Sequence, residues 1–157
     1  MQPERSDLAI RKSVQVGCSV EDAFRVFTED IGSWWPLATK SVGLANAVNL
    51  VVERRAGGRV YEQVRGGEEH EWGEVLAWEP PRRLVFSWHP GRARETGQEV
   101  EVRFGATRTG TRVELEHRGW ERLVGRTGEI PAHFVSGWEE ALARYADAVT
   151  AGARSGT

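Results

Sequence analysis

Between residues 47 and 119 the chain offers almost nothing but strands. The segments "AVNLVVERR", "RVYEQVR", "HEWGEVLAWE", "LVFSWH", "VEVRF" and "TRVELEHRG" read as strands, and apolar residues recur in them with a period of two. The joints "AGG", "GGEE", "PPRR", "PGRARETGQE" and "TRTG" supply turn residues, mostly Gly and Pro. Six consecutive strands on such connections form an antiparallel meander, and a meander needs one face covered. A further strand, "LAIRKSVQV", precedes them with Ile10, Val14 and Val16 on one side. Only one segment is long enough to cover the sheet. "AHFVSGWEEALARYADAVTAG" places Phe134, Trp138, Leu142, Tyr145 and Val149 on one helical face, and Pro131 suits the start of a helix over about 133–150. The fold class that follows is α+β: a curved antiparallel sheet of six to seven strands wrapped around a long C-terminal helix, with room for a cavity inside the wrap.

Two short helices follow the first strand. Ser19 caps one, with Asp22 at its third position and Ala23, Phe24 and Phe27 as its apolar stripe. Gly32 and Pro36 bracket a second helical turn with Trp34 and Trp35. The 157 residues suit a single domain, 1–157, with its core over about 8–150, and the small polar tail "TAGARSGT" is expected to fray. A net charge of −2 argues against nucleic acid as partner. No stretch approaches the ~20 apolar residues that span a bilayer, so no membrane is expected. "MQPERSDLAI" lacks the apolar core of a secretory signal, and Cys18 is alone, so the expected location is cytoplasmic. Seven tryptophans either fill a large core or line an aromatic pocket.

Pairing the strands tests whether their faces agree. A turn at Thr109–Gly110 sets Phe104 opposite Leu115 and Val102 opposite His117. A turn at Pro80–Pro81 sets Ala77 opposite Leu84 and Val75 opposite Phe86. A turn at 66–69 sets Val60 opposite Val75 and Glu62 opposite Gly73. One inner face results: Val60, Glu62, Val64, Gly73, Val75, Ala77, Leu84, Phe86, Trp88, Val100, Val102, Phe104, Val113, Leu115 and His117. Trp72 and Trp78 alternate away from it, to pack under the short helices or mark a contact surface.

Glu62 and His117 are the two ionisable residues that this pairing sends inward. They are candidate ligand anchors, with His117 among apolar neighbours that include Val102 and Phe86 and held neutral by burial. Four strand spacings, roughly 19 Å, separate the two, too far for a proton-exchanging pair. Trp34, Trp35, Trp88 and Trp138 are candidate cavity walls, and Phe134 joins them from the helix face. His70, His89, His117, His133 and Cys18 show no metal-ligand spacing, and neither a phosphate-binding glycine loop nor a nucleophile elbow is present. No catalytic residue, cofactor or metal is assigned.

The segments "EDAFRVFTEDIGSWWP", "ERRAGGRVYE", "EWGEVLAWEPPRRLVFSWHP", "TRVELEHRGWERL" and "GWEEALARY", in this order, resemble the SRPBCC (START-like, helix-grip) superfamily, in its branch named for the activator of Hsp90 ATPase. The resemblance covers roughly residues 8–150. It implies a deep cavity between sheet and C-terminal helix that binds a hydrophobic small molecule. The superfamily also includes lipid carriers, polyketide cyclases and ring-hydroxylase subunits, so fold alone does not fix the chemistry. The branch name implies a chaperone partner. The eukaryotic activators make much of that contact with a separate N-terminal domain, and this chain starts its first strand near residue 8, so Hsp90 activation is not expected of it. The expected function is binding or carrying a small hydrophobic or aromatic ligand, rather than catalysis. The alternatives are a cyclase or dehydratase acting in the same cavity and a chaperone-related interaction module. A homodimer is left open.

Overall fold

The structure, a computed structural model, describes residues 9–155 apart from 94, 96, 126 and 127, with side chains as far as residue 151. The chain runs β1 (Ala9–Val16), α1 (Val20–Thr28), α2 (Ile31–Trp34), β2 (Ala47–Val52), β3 (Arg59–Val64), β4 (Glu69–Glu79), β5 (Arg83–Trp88), β6 (Gln98–Thr107), β7 (Gly110–Arg118), α3 (Glu121–Val124) and α4 (Ala132–Ser155). The strands form one seven-stranded sheet in the order β1-β7-β6-β5-β4-β3-β2, with every neighbouring pair antiparallel. The meander accounts for β2 to β7, and β1 returns to pair with β7.

The sheet curls around α4. Its first turn follows Pro131 as the sequence suggested, and its backbone stays helical to Ser155, beyond the 133–150 read from periodicity. Trp138, Ala141, Leu142, Tyr145 and Val149 are buried along one stripe. Two side chains tie α4 to the short helices: the Tyr145 hydroxyl donates to the Ala23 carbonyl and Arg144 Nε to the Trp34 carbonyl, each at 2.7 Å. Ser19 caps α1, accepting from the Asp22 amide at 3.1 Å. Phe24 of α1 then packs edge-on against Phe104 and Trp78, with ring centroids 5.1 Å apart in both pairs.

Apart from Ala77, which lies beyond a bulge and pairs with Val85 on the other face, the inner face is the one read from alternation, and its residues are buried. The registers differ from those expected. The β6–β7 turn closes on Thr107 and Gly110, so Phe104 faces Val113, Val102 faces Leu115 and Val100 faces His117. This shift is even, and an even shift keeps every side chain on its face. Val75 faces Phe86 as expected, but a bulge follows, and Ala77 then faces Val85 while Trp78 faces Leu84. A second bulge sets Val60 opposite Gly73 and Glu62 opposite His70. Each bulge inserts a residue and swaps the faces beyond it. That swap turns both tryptophans to the inner face, and Trp78 packs under a short helix, one of the two placements expected for it. Trp72 is 1% exposed inside the wrap, and Trp78 lies against α1.

On the outer face, Glu101 is nearly buried beneath Arg83, Arg103 and Arg118, each 2.7 Å away. Burial pushes its carboxyl up, but the three guanidinium hydrogen bonds outweigh this and hold it at about 2. Among the described residues no helix is long and apolar enough to cross a membrane.

Candidate functional site

The wrap leaves a cavity of about 450 Å³ beside the first turns of α4. Its walls come from Trp35 and the 39–42 loop, Trp72 of β4, the 88–92 end of β5 with Gln98 of β6, and residues 133–138 of α4. Four indoles form its apolar lining, those of Trp35, Trp72, Trp88 and Trp138. Each touches its neighbours at centroid distances of 5.2–5.6 Å.

Glu62 builds one wall from behind. It is 0% exposed, on β3. Its Oε1 accepts from the Val42 amide at 2.8 Å and from Trp72 Nε1 at 2.9 Å, and its Oε2 accepts from the Gly43 amide at 2.6 Å. All three partners donate, which suits an acceptor-only carboxylate. The carboxylate thus fixes the loop that carries Thr39, Lys40, Ser41 and Val42, and it turns Trp72 so that its N–H is used up.

His117 does the same on the opposite side. Its ring is fully buried, stacked on Trp120 at 4.3 Å. Nδ1 lies 2.9 Å from Trp138 Nε1, which only donates, so Nδ1 is bare and the ring proton sits on Nε2. Nε2 then donates to Gln98 Oε1 at 3.2 Å. Burial lowers the His117 pKa to about 3, and the imidazole is neutral. Both of its side-chain partners, Trp138 and Gln98, are wall residues.

The indole N–H groups follow a pattern. Trp35 donates to the Lys40 carbonyl, Trp72 to Glu62 and Trp138 to His117. These rings therefore offer the cavity hydrocarbon and π surface, with no free polar handle. His89 is different. It is 6% exposed on the cavity wall, with Nε2 at 3.3 Å from Glu71 Oε2 and Nδ1 buried without a hydrogen-bond partner among the described residues. Lys40, Arg92 and His133 also line the cavity, and among the described residues no carboxylate does.

Of the candidates read from sequence, Trp35, Trp88, Trp138 and Phe134 line this cavity. Trp34, Phe86 and Val102 lie in the core, and Glu62 and His117 stand one layer behind the wall. Sequence reasoning missed Trp72, Gln98 and His89. Gln98 had a signal, since it sits two residues before Val100 on the same face. Trp72 had one in Gly73, because a glycine inside a strand marks a bulge. His89 lies just past the end of β5, where alternation stops. Among the described residues no group of three or more His, Cys, Asp or Glu could hold a metal.

The comparisons with known proteins agree with this architecture. The family model described as "Activator of Hsp90 ATPase homolog 1-like protein" matches residues 17–150. A search of curated proteins finds no match. Among solved structures, Txn09, described as an anthrahydroquino-gamma-pyrone synthase, is 32% identical, with 88% of this chain and 95% of that one covered and a TM-score of 0.60. Protein NE0264 from Nitrosomonas europaea is 16% identical, with 96% and 99% covered and a TM-score of 0.68. The Aha1 dimer from Colwellia psychrerythraea is also 16% identical, with 90% and 95% covered and a TM-score of 0.67. The last two likenesses show the fold alone. With the model spanning most of the chain, the protein belongs to the Activator of Hsp90 ATPase homolog 1-like family.

Proposed function

We propose that this protein binds a small, largely apolar aromatic molecule in the cavity between sheet and α4. One observation carries the reading: four indoles wall the cavity, and three of them have their N–H groups turned to protein partners. A volume of about 450 Å³ suits a two- or three-ring compound. The test is titration with 1-anilinonaphthalene-8-sulfonate, followed by quenching of tryptophan emission. Gly137 lines the cavity from α4, and a Cβ there would meet the flexible end of Lys40 at 3.2 Å. Gly137→Leu should therefore fill the cavity, keep the fold and abolish quenching. Native, folded protein that binds no apolar probe would remove the main support for this reading.

The likeness to Txn09 favours a second reading, that the cavity closes a ring on an aromatic substrate. Incubation with the substrate of that synthase, followed by mass spectrometry, separates the two. Binding without turnover leaves the carrier reading in place.

A further inference from the structure

The indoles explain why a ligand enters the cavity but not what orients it there. Most polar atoms on its wall are already engaged. Ser41 Oγ donates to the Leu37 carbonyl and accepts from the Leu44 amide, and Gln98 Oε1 faces His117. Two neighbours on the chain stand apart. Trp88 is the one lining indole whose N–H makes no hydrogen bond among the described residues. His89 beside it holds a buried Nδ1 in the same condition.

The state of His89 follows from its other nitrogen. Nε2 faces a carboxylate oxygen of Glu71 at 3.3 Å, and a carboxylate accepts. In the neutral ring the proton therefore belongs on Nε2, and Nδ1 is a bare acceptor. An acceptor closed off from water and left unpaired is unfavourable. The ring lines the cavity, so a bound molecule is the partner that reaches Nδ1 once the ring turns toward it. A group that pairs with that acceptor must donate a hydrogen bond. A hydroxyl does, whereas a carbonyl, an ether or a carboxylate only accepts. The aromatic walls select a flat ring to carry that hydroxyl. Lys40 and Arg92, with no carboxylate among the described wall residues, favour an oxygen with acidic character.

We propose that His89, oriented by Glu71, is the hydrogen-bond acceptor of the cavity, and that the ligand it selects is an aromatic molecule bearing a free phenolic hydroxyl. This rests on the cavity being a binding site, and it adds the subsite and the ligand class.

The test compares 2-naphthol with 2-methoxynaphthalene by isothermal titration calorimetry on the full chain. The two share an aromatic frame, and the ether carries a methyl group in place of the hydroxyl proton. Wild-type protein should bind 2-naphthol about tenfold more tightly, the order expected when an unpaired buried acceptor gains a donor. His89→Phe should weaken 2-naphthol to the level of the ether and leave the ether unchanged. His89→Asn, which keeps an acceptor near the Nδ1 position, should retain part of the preference. Glu71→Gln should reduce the preference less than His89→Phe does. Equal binding of the two probes to wild-type protein overturns the His89 subsite while leaving the cavity reading intact. A preference that survives in His89→Phe also overturns it. Should that variant fail to fold, loss of the preference in a folded His89→Asn would do the same. Failure of either probe to bind folded wild-type protein brings down the cavity reading, and the subsite with it.

Discussion

Glu62 and His117 show how a polar side chain comes to sit inside a sheet. Alternation alone sends both inward, and both are fully buried. Their partners could not be read from the sequence. Glu62 meets the amides of Val42 and Gly43, twenty residues up the chain in a segment without periodicity, and His117 meets Trp138 on a different element. Neither side chain needs a ligand to satisfy it, and each is a positioning residue for the cavity wall. Glu62→Gln would turn one acceptor into a donor facing donors. It should cost about 2–3 kcal/mol of stability, read from urea unfolding, and weaken probe binding by loosening the 39–42 loop. A variant as stable as wild type would show that those hydrogen bonds carry little weight. His117→Phe keeps the ring on Trp120 but strands the Trp138 N–H. It should also cost about 2–3 kcal/mol, with the larger loss in stability rather than in affinity.

At the level of elements, the two bulges in β4 decide which tryptophans reach the cavity. Gly73 makes one of them workable. A Cβ built there would lie 1.8 Å from the Ser87 carbonyl oxygen on β5, a contact that no side-chain rotation relieves. Gly73→Ala should therefore cost about 2–3 kcal/mol by forcing β4 and β5 apart. It should also alter the near-ultraviolet circular dichroism as Trp72 moves. Tolerance within about 0.5 kcal/mol would contradict this account of the bulge. The elements themselves were legible because each carries its own period: two in the strands, three to four in α4, and a Ser19 cap on α1. Registers were less so. A turn of one length or another shifts pairing by whole residues, and an uncounted bulge swaps the faces beyond it, as Trp72 and Trp78 demonstrate. The cavity was half legible for a related reason. Trp88 and Trp138 lie on periodic elements, whereas His89, Arg92 and Lys40 lie where periodicity ends.

For the whole molecule, the buried imidazole makes stability depend on pH. The folded pKa of His117 is about 3, against 6.5 for the free side chain. Between those values the unfolded chain takes up a proton that the folded protein refuses, so stability falls as pH drops below about 6.5. From pH 7 to pH 5 this group should remove about 2 kcal/mol, read from urea midpoints. The same comparison in His117→Phe should lose that component. Glu101 acts lower on the scale. With its folded pKa near 2 against 4.5, its stabilising contribution is complete above about pH 4.5 and lost below it, outside the window tested. The tryptophan cluster has an optical consequence. Trp34, Trp35, Trp72, Trp88 and Trp138 form an unbroken chain of neighbours with centroids 5.2–6.0 Å apart. Indoles this close exchange excitation energy far faster than they emit, so light absorbed by any one is shared among five. A guest that quenches the ring it touches drains the whole set, and the protein carries a built-in antenna aimed at its own cavity.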